Sequence, residues 1–234
     1  MPASVFVLIH SPLVGPYTWS LVAEELRRRG YKVVIPALKS QPSGAGTYWE
    51  RHVEHVSASL HAVPCETPVI LVGHSGAGPL LPAVSQRIEQ PVVAYLFVDA
   101  MLPENGKCRL DLFESPQAAD QFRRKAKNGL LPVWSADDLR QLIPDEPICT
   151  RFVSELSPLP LQVYEESLPV FEGWPETPCA YLQFGSNPAY APAVLRARQA
   201  GFACSTLEAG HFHMLVAPGA VAEALLDLTR RMGL

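Results

Sequence analysis

The stretch LVGHSGAGPL, residues 71–80, ends an apolar run abruptly in a cluster of small residues, Gly73-His74-Ser75-Gly76-Ala77-Gly78. A buried strand that turns sharply into a helix forces the corner residue into a strained backbone and lifts its side chain above the sheet. Ser75 stands at that corner. Gly73 and Ala77 flank it at the two positions that approach neighbouring backbone, and an apolar helix is expected over 80–88. Pro82 removes an intrahelical donor and is predicted to kink this helix unless it falls within the first turns. A serine hydroxyl alone is a weak nucleophile, so the motif asks where the chain keeps a base, an acid and donors for an oxyanion.

Outward from this corner, six short segments have the β-branched and aromatic character of strands buried on both faces: 5–10, 32–36, 68–72, 92–98, 179–184 and 203–207. Between them, Trp19, Val22 and Leu26 recur at helical spacing and Gly30 is placed to end that helix. Trp49, Val53, Val56 and Leu60 repeat the pattern, as do Val221, Ala224, Leu225 and Leu228. Strands alternating with helices predict an α/β fold, a mostly parallel sheet with helices on both faces. The alternation breaks once, over 101–174, where prolines concentrate, Trp134 and Trp174 fall, and 136–143 and 161–168 read as amphipathic helices. That segment is too long and apolar for a plain loop. It is expected to be a helical cap inserted after the strand ending near Asp99, folded over the C-terminal sheet edge where such folds bind ligands. Residues 1–100 and 175–234 would form the core.

A chain of 234 residues suits a single domain. Hydrophobic residues at 48%, charged residues at 18% and a net charge of −4 with interspersed signs describe a compact soluble protein. They offer no basic stripe for nucleic acid and no polybasic membrane patch. The five cysteines are odd in number, widely spread and without the short paired spacings of zinc sites, so they read as thiols of a reducing compartment. The apolar run 5–9 lacks a basic region before it and is too short for a signal core or a membrane span. The expectation is a cytoplasmic protein that takes a small-molecule substrate, with no cofactor and no metal; oligomeric state stays open. His52, His55 and His61 lie on one predicted helix and read as solvated residues.

With VLIHSPLVGPYTWSLVAEELRRRGYKVVIPAL, residues 7–38, added to the Ser75 corner, the chain resembles the α/β-hydrolase superfamily. The segment is similar to the small plant-type esterase and hydroxynitrile lyase branch, where a strand ending in His leads to an oxyanion loop, a Trp-bearing helix and a second strand. The resemblance implies a general base at His211 in EAGHFHMLVAP, with His213 the competing residue. The family usually places its acid after the strand 179–184, yet 185–207 contains no Asp and no Glu. Asp99, ending YLFVDAMLP on the same sheet edge, is where some members keep it, and the order Ser75, Asp99, His211 fits the fold. A carboxylate there can equally bind local backbone N–H groups, and Asn187 or Ser186 could hold His211 by a neutral hydrogen bond. One oxyanion donor is expected from the Gly76 N–H. The second normally comes two residues beyond the strand's histidine, His10, but that residue is Pro12, which has no N–H. Either Leu13 N–H or the Ser11 hydroxyl takes over, or the site works with one donor fewer, a difference of roughly 3 kcal/mol in transition-state stabilisation. His10 is expected to brace this loop and His74 to support the corner.

The function so implied is a cofactor-independent serine hydrolase, of esterase, thioesterase or lactonase type, acting on a small, largely apolar acyl substrate. The missing post-strand acid and Pro12 keep open a lyase or cyclase that uses Ser75 and His211 as a proton relay. A ligand-binding receptor built on the same fold is the reading from another class. Tyr17, Trp134 and Trp174 could line a pocket or simply pack.

Overall fold

The structure, a computed structural model, describes residues 4–40, 46–185 and 187–234. It opens on β1 (Val5–Ile9), buried along its whole length, followed by α1 (Tyr17–Arg28), β2 (Lys32–Val34) and α2 (Tyr48–Ser59). The corner region comprises β3 (Val69–His74), a 3₁₀ turn at Ser75–Leu80 and α3 (Leu81–Ser85), after which β4 (Val92–Val98) runs parallel to β3. Between residues 101 and 174 lie α4 (Pro116–Arg124), β5 (Leu130–Leu131), α5 (Ala136–Leu139), α6 (Glu146–Val153), β6 (Leu159–Pro160) and α7 (Gln162–Glu165). The chain then re-enters the sheet as β7 (Cys179–Phe184), crosses through α8 (Ala191–Gln199) to β8 (Ala203–Leu207), and closes with α9 (His213–Val216) and α10 (Pro218–Arg231).

Six strands form the main sheet in the order β2-β1-β3-β4-β7-β8, every neighbouring pair parallel. Side chains of a strand alternate between faces. Phe6 and Leu8 of β1 therefore join α1 and α10 residues such as Trp19, Val22, Leu225 and Leu228 in one core layer. Val5, Val7 and Ile9 join Val53 and Val56 of α2 and Leu81 and Val84 of α3 in the other. Two covered faces explain why these strands read as continuous apolar runs. From β1 the chain steps outward to β2 in one direction and to β3 and β4 in the other. This switch in direction opens a crevice at the strand ends, where residues 10–16 and Ser75 meet.

Where the sequence predicted one helix over 80–88, a 3₁₀ turn precedes a short α3. Pro82 lies in the first turn of α3, where a missing N–H has no helical partner to lose, so no kink results. The predicted helices at 136–143 and 161–168 shrink to α5 and α7. Pro144 disfavours helical backbone at the residue before it. At the far end of α7, Ser167 bridges Cys108 and Leu168 N–H donates to the Lys107 carbonyl, so this backbone joins an extended ladder. The segment also holds an antiparallel ribbon, β5 with β6, which helical periodicity alone does not show. His52, read as solvated, is buried on α2, with its Nε2 2.8 Å from Ser40 Oγ. Among the described residues no helix is long and apolar enough to cross a membrane.

Candidate active site

Ser75 has φ of 57°, left-handed backbone that a residue with a side chain adopts at a cost. The turn is held by Met101 N–H, which donates to the Ser75 carbonyl at 3.2 Å. A Cβ added to Gly78 would stand 2.0 Å from the Met101 carbonyl oxygen, whereas one on Gly73 would meet only the Leu81 side chain at 3.2 Å. The backbone contact expected around Ala77 therefore falls one residue later, on Gly78; Ala77 packs its methyl group into the core.

The structure brings His211 and Asp99 together. His211 lies between β8 and α9, and its Nδ1 is 2.7 Å from Asp99 Oδ2. Asp99 follows β4 with φ of 42° and is fully buried. Its Oδ1 accepts from Phe184 N–H at 3.3 Å, and its Oδ2 also accepts from Asn187 Nδ2 at 2.8 Å. Asn187 Oδ1 accepts from Ala189 N–H at 3.3 Å, which fixes the amide's orientation. Asn187 Nδ2 also lies 3.2 Å from His211 Nδ1, but an amide N–H pointed at Asp99 leaves the carboxylate as the acceptor for an imidazole N–H. Ser186, the other neutral candidate, lies outside the described residues.

One further histidine packs against this pair. His74 is fully buried, its ring centroid 4.5 Å from that of His211, and its Nε2–H donates to the His211 carbonyl at 3.1 Å. Burial holds its pKa well below the ordinary 6.5, with the neighbouring His211 acting in the same direction. His74 thus grips the backbone of His211 in neutral form. His213 begins α9 with its ring 5.9 Å from Phe184, edge to face.

Sequence reasoning missed Tyr190. Its hydroxyl is 2.8 Å from Ser75 Oγ, and its ring lies nearly parallel to that of His211 with centroids 5.4 Å apart. Ser75 Oγ is hydrogen-bonded to this phenol and makes no hydrogen bond to His211. Tyr190 closes the 3₁₀ turn Pro188–Tyr190, which Asn187 caps by accepting Ala189 N–H. A tyrosine in a loop carries no sequence signal that would single it out.

At the β1 end, His10 is fully buried, its Nδ1–H donating to the Ser11 carbonyl at 2.8 Å and its Nε2 accepting from Leu38 N–H at 3.1 Å. Burial lowers its pKa to about 4. Leu13 N–H donates to Ser11 Oγ at 3.4 Å, so of the expected substitutes for Pro12 the Leu13 N–H is already engaged. Gly76 is the second residue of its 3₁₀ turn, where backbone N–H groups lack partners within the turn.

Ser75, His211, Asn187 and Tyr190 open into a cavity of about 500 Å³. Its other walls are mostly apolar and include Leu13, Met101, Phe113, Trp134 and Tyr164. Of the aromatic residues singled out in sequence, Trp134 lines it. Trp174 packs on Tyr95 and Phe97, and Tyr17 lies beneath the Arg151 guanidinium. A second hollow of about 570 Å³ lies between residues 12–16, 37–40 and 155–159 and contains neither Ser75 nor His211. No group of three or more His, Cys, Asp and Glu suited to a metal ion occurs among the described residues.

A sequence-family model described as "Alpha/beta hydrolase family" matches residues 6–224. A carbendazim hydrolyzing esterase from Nocardioides sp. (strain SG-4G) is 30% identical over 125 residues, covering 50% of this chain and 51% of that protein. Esterase PIR7B of Oryza sativa subsp. japonica is 30% identical over 134 residues, 54% of this chain and 47% of that protein. The chain thus spans about half the length of these relatives. Among solved structures, an extracellular α/β-hydrolase from a Paenibacillus species superposes with a TM-score of 0.78 at 21% identity, over 96% of this chain and 98% of that one.

Proposed function

Because the chain belongs to the alpha/beta hydrolase family, we propose that it is a serine hydrolase that cleaves small, largely apolar esters. Ser75 is the nucleophile, His211 the general base and then acid, and Asp99 the carboxylate that fixes the imidazole. Gly76 N–H and a hydroxyl near Ser11 receive the oxyanion, and residues 101–174 act as a cap over the cavity. The observation that carries this reading is the 2.7 Å contact between His211 Nδ1 and the fully buried Asp99, His211 itself lining one cavity with a backbone-strained serine. An acceptor on Nδ1 leaves Nε2 unprotonated, the form a base needs. The esterase names of the sequence relatives support the same reaction class. Ser75 and His211 line the same cavity although Ser75 Oγ is bonded to Tyr190, and catalytic hydrogen bonds often tighten only with substrate bound.

The test is a fluorophosphonate probe followed by mass spectrometry. Labelling of Ser75 in the wild type and its loss in Ser75→Ala are expected. Equal behaviour of the two proteins would end the covalent mechanism. One observation favours a second reading, a lyase or cyclase that relays protons without an acyl-enzyme: Ser75 Oγ is bonded to Tyr190, not to His211. Trapping an acyl adduct on Ser75 with an activated ester discriminates in favour of hydrolysis.

A further inference from the structure

The loop after β1 cannot supply a backbone donor in the usual way. Pro12 has no N–H. Leu13 N–H is turned to Ser11 Oγ at 3.4 Å, and Val14 N–H to the Ser11 carbonyl at 3.0 Å. Two hydroxyls instead overhang Gly76. A methyl group on its α-carbon would stand 2.8 Å from Tyr164 Oη and 3.2 Å from Ser11 Oγ. Tyr164 shares the cavity with Ser75 and His211.

We infer that the Tyr164 hydroxyl is a catalytic oxyanion donor, delivered from the 101–174 segment to replace the N–H that Pro12 lacks. The inference rests on the ester-hydrolase reading and adds a reacting group to it. Arg109 is the positioning residue. Fully buried, it donates from Nε to the Gly76 carbonyl at 2.6 Å and from Nη1 to the Val163 carbonyl at 2.8 Å. One rigid guanidinium thereby ties the residue before Tyr164 to the glycine beneath its hydroxyl, with its carbon 5.8 Å from the Tyr164 ring centroid. Among the described residues no carboxylate is hydrogen-bonded to Arg109, and its Nη2 has no partner. A buried charge left without a paired carboxylate is costly. Beside a centre where negative charge develops, the same field is favourable.

In the reaction, a bond forms between Ser75 Oγ and the ester carbon as the carbonyl π pair moves onto oxygen and the Ser75 proton passes to His211. The oxyanion accepts from Gly76 N–H and Tyr164 O–H. When the pair returns, the bond to the leaving alkoxide breaks and that oxygen takes the proton from His211. Water repeats the sequence on the acyl-enzyme and releases the acid. The Tyr164 proton stays on its oxygen throughout, consistent with a phenol whose pKa burial raises.

The experiment is steady-state hydrolysis of p-nitrophenyl acetate by the whole chain. Tyr164→Phe, which removes only the hydroxyl, is expected to lower kcat roughly 100-fold with KM little changed. Adding Pro12→Ala to that variant restores a backbone N–H, and partial recovery of kcat is expected. Arg109→Lys should lower kcat at unchanged KM, and the Arg109→Lys/Tyr164→Phe pair should be no slower than Tyr164→Phe alone. A folded Tyr164→Phe that keeps wild-type kcat overturns the inference, and additive losses in the pair remove Arg109 from it. If the wild type neither hydrolyses the ester nor labels at Ser75, it is the hydrolase reading that fails, and Tyr164's role with it.

Discussion

At the scale of single residues, Ser75 and Asp99 stand in left-handed backbone directly after adjacent parallel strands. Such backbone persists only where the surroundings over-determine it, which here means Met101 N–H on the Ser75 carbonyl and Leu182 accepting from Asp99 N–H at 2.8 Å. The two side chains differ in what they do with the position. Asp99 accepts from three partners and is locked, whereas the Ser75 hydroxyl is bonded, among the described residues, only to Tyr190. Asp99→Asn keeps the shape but removes the acceptor for His211 Nδ1–H, and kcat is expected to fall roughly 1,000- to 10,000-fold. Asn187→Ala should cost about tenfold or less, and an equal loss in both would transfer the orienting role to Asn187. Tyr190→Phe releases one hydrogen bond on Ser75, worth about 0.5–1.5 kcal/mol. Fluorophosphonate should then label Ser75 roughly 2- to 10-fold faster; slower labelling would mean that Tyr190 aids the nucleophile.

At the scale of elements, the β3-turn-α3 unit shows which small residues the corner needs. Gly78 faces the Met101 carbonyl and Gly73 faces a leucine side chain that can shift. Gly78→Ala is expected to destabilise the fold by about 2 kcal/mol or more and Gly73→Ala by less, since backbone cannot retreat as a side chain can. Urea unfolding of both variants measures the difference; the reverse ranking would mean that the turn relaxes around Gly78. The corner itself was legible in residues 71–80 because burial and small size are local properties. The displacement of the tight contact from 77 to 78 was not, because it depends on a backbone carbonyl beyond β4.

For the whole molecule, three histidines are held neutral by burial, His10 at about 4, His52 at about 2 and His74 well below the ordinary 6.5. The unfolded chain takes up protons near 6.5 and the folded chain does not, so below that pH the unfolded state binds more protons. Stability is therefore full above about pH 6.5 and declines as pH falls toward each folded value. At pH 5, His10 alone should cost about 2 kcal/mol relative to pH 8. Chemical denaturation at the two pH values checks this, and equal stability at both would contradict neutral burial. The same assembly draws the cavity from distant parts of the chain. Ser75 directly follows β3 and His211 lies between β8 and α9, while Phe113, Trp134 and Tyr164 arrive from the long segment between β4 and β7.

The sequence alone determined the alternation of strands and helices, the serine corner and the sheet edge that holds Asp99 and His211, because periodicity, small residues and strand ends are written locally. Tertiary structure decided what no window of residues contains. It set Asp99 rather than Asn187 as acceptor, placed Tyr190 on the serine, and hung Tyr164 over Gly76 by way of Arg109. Those contacts join residues far apart in the chain, and their geometry follows from how the loops at the strand ends and the segment 101–174 pack together, which hydrophobic pattern does not encode.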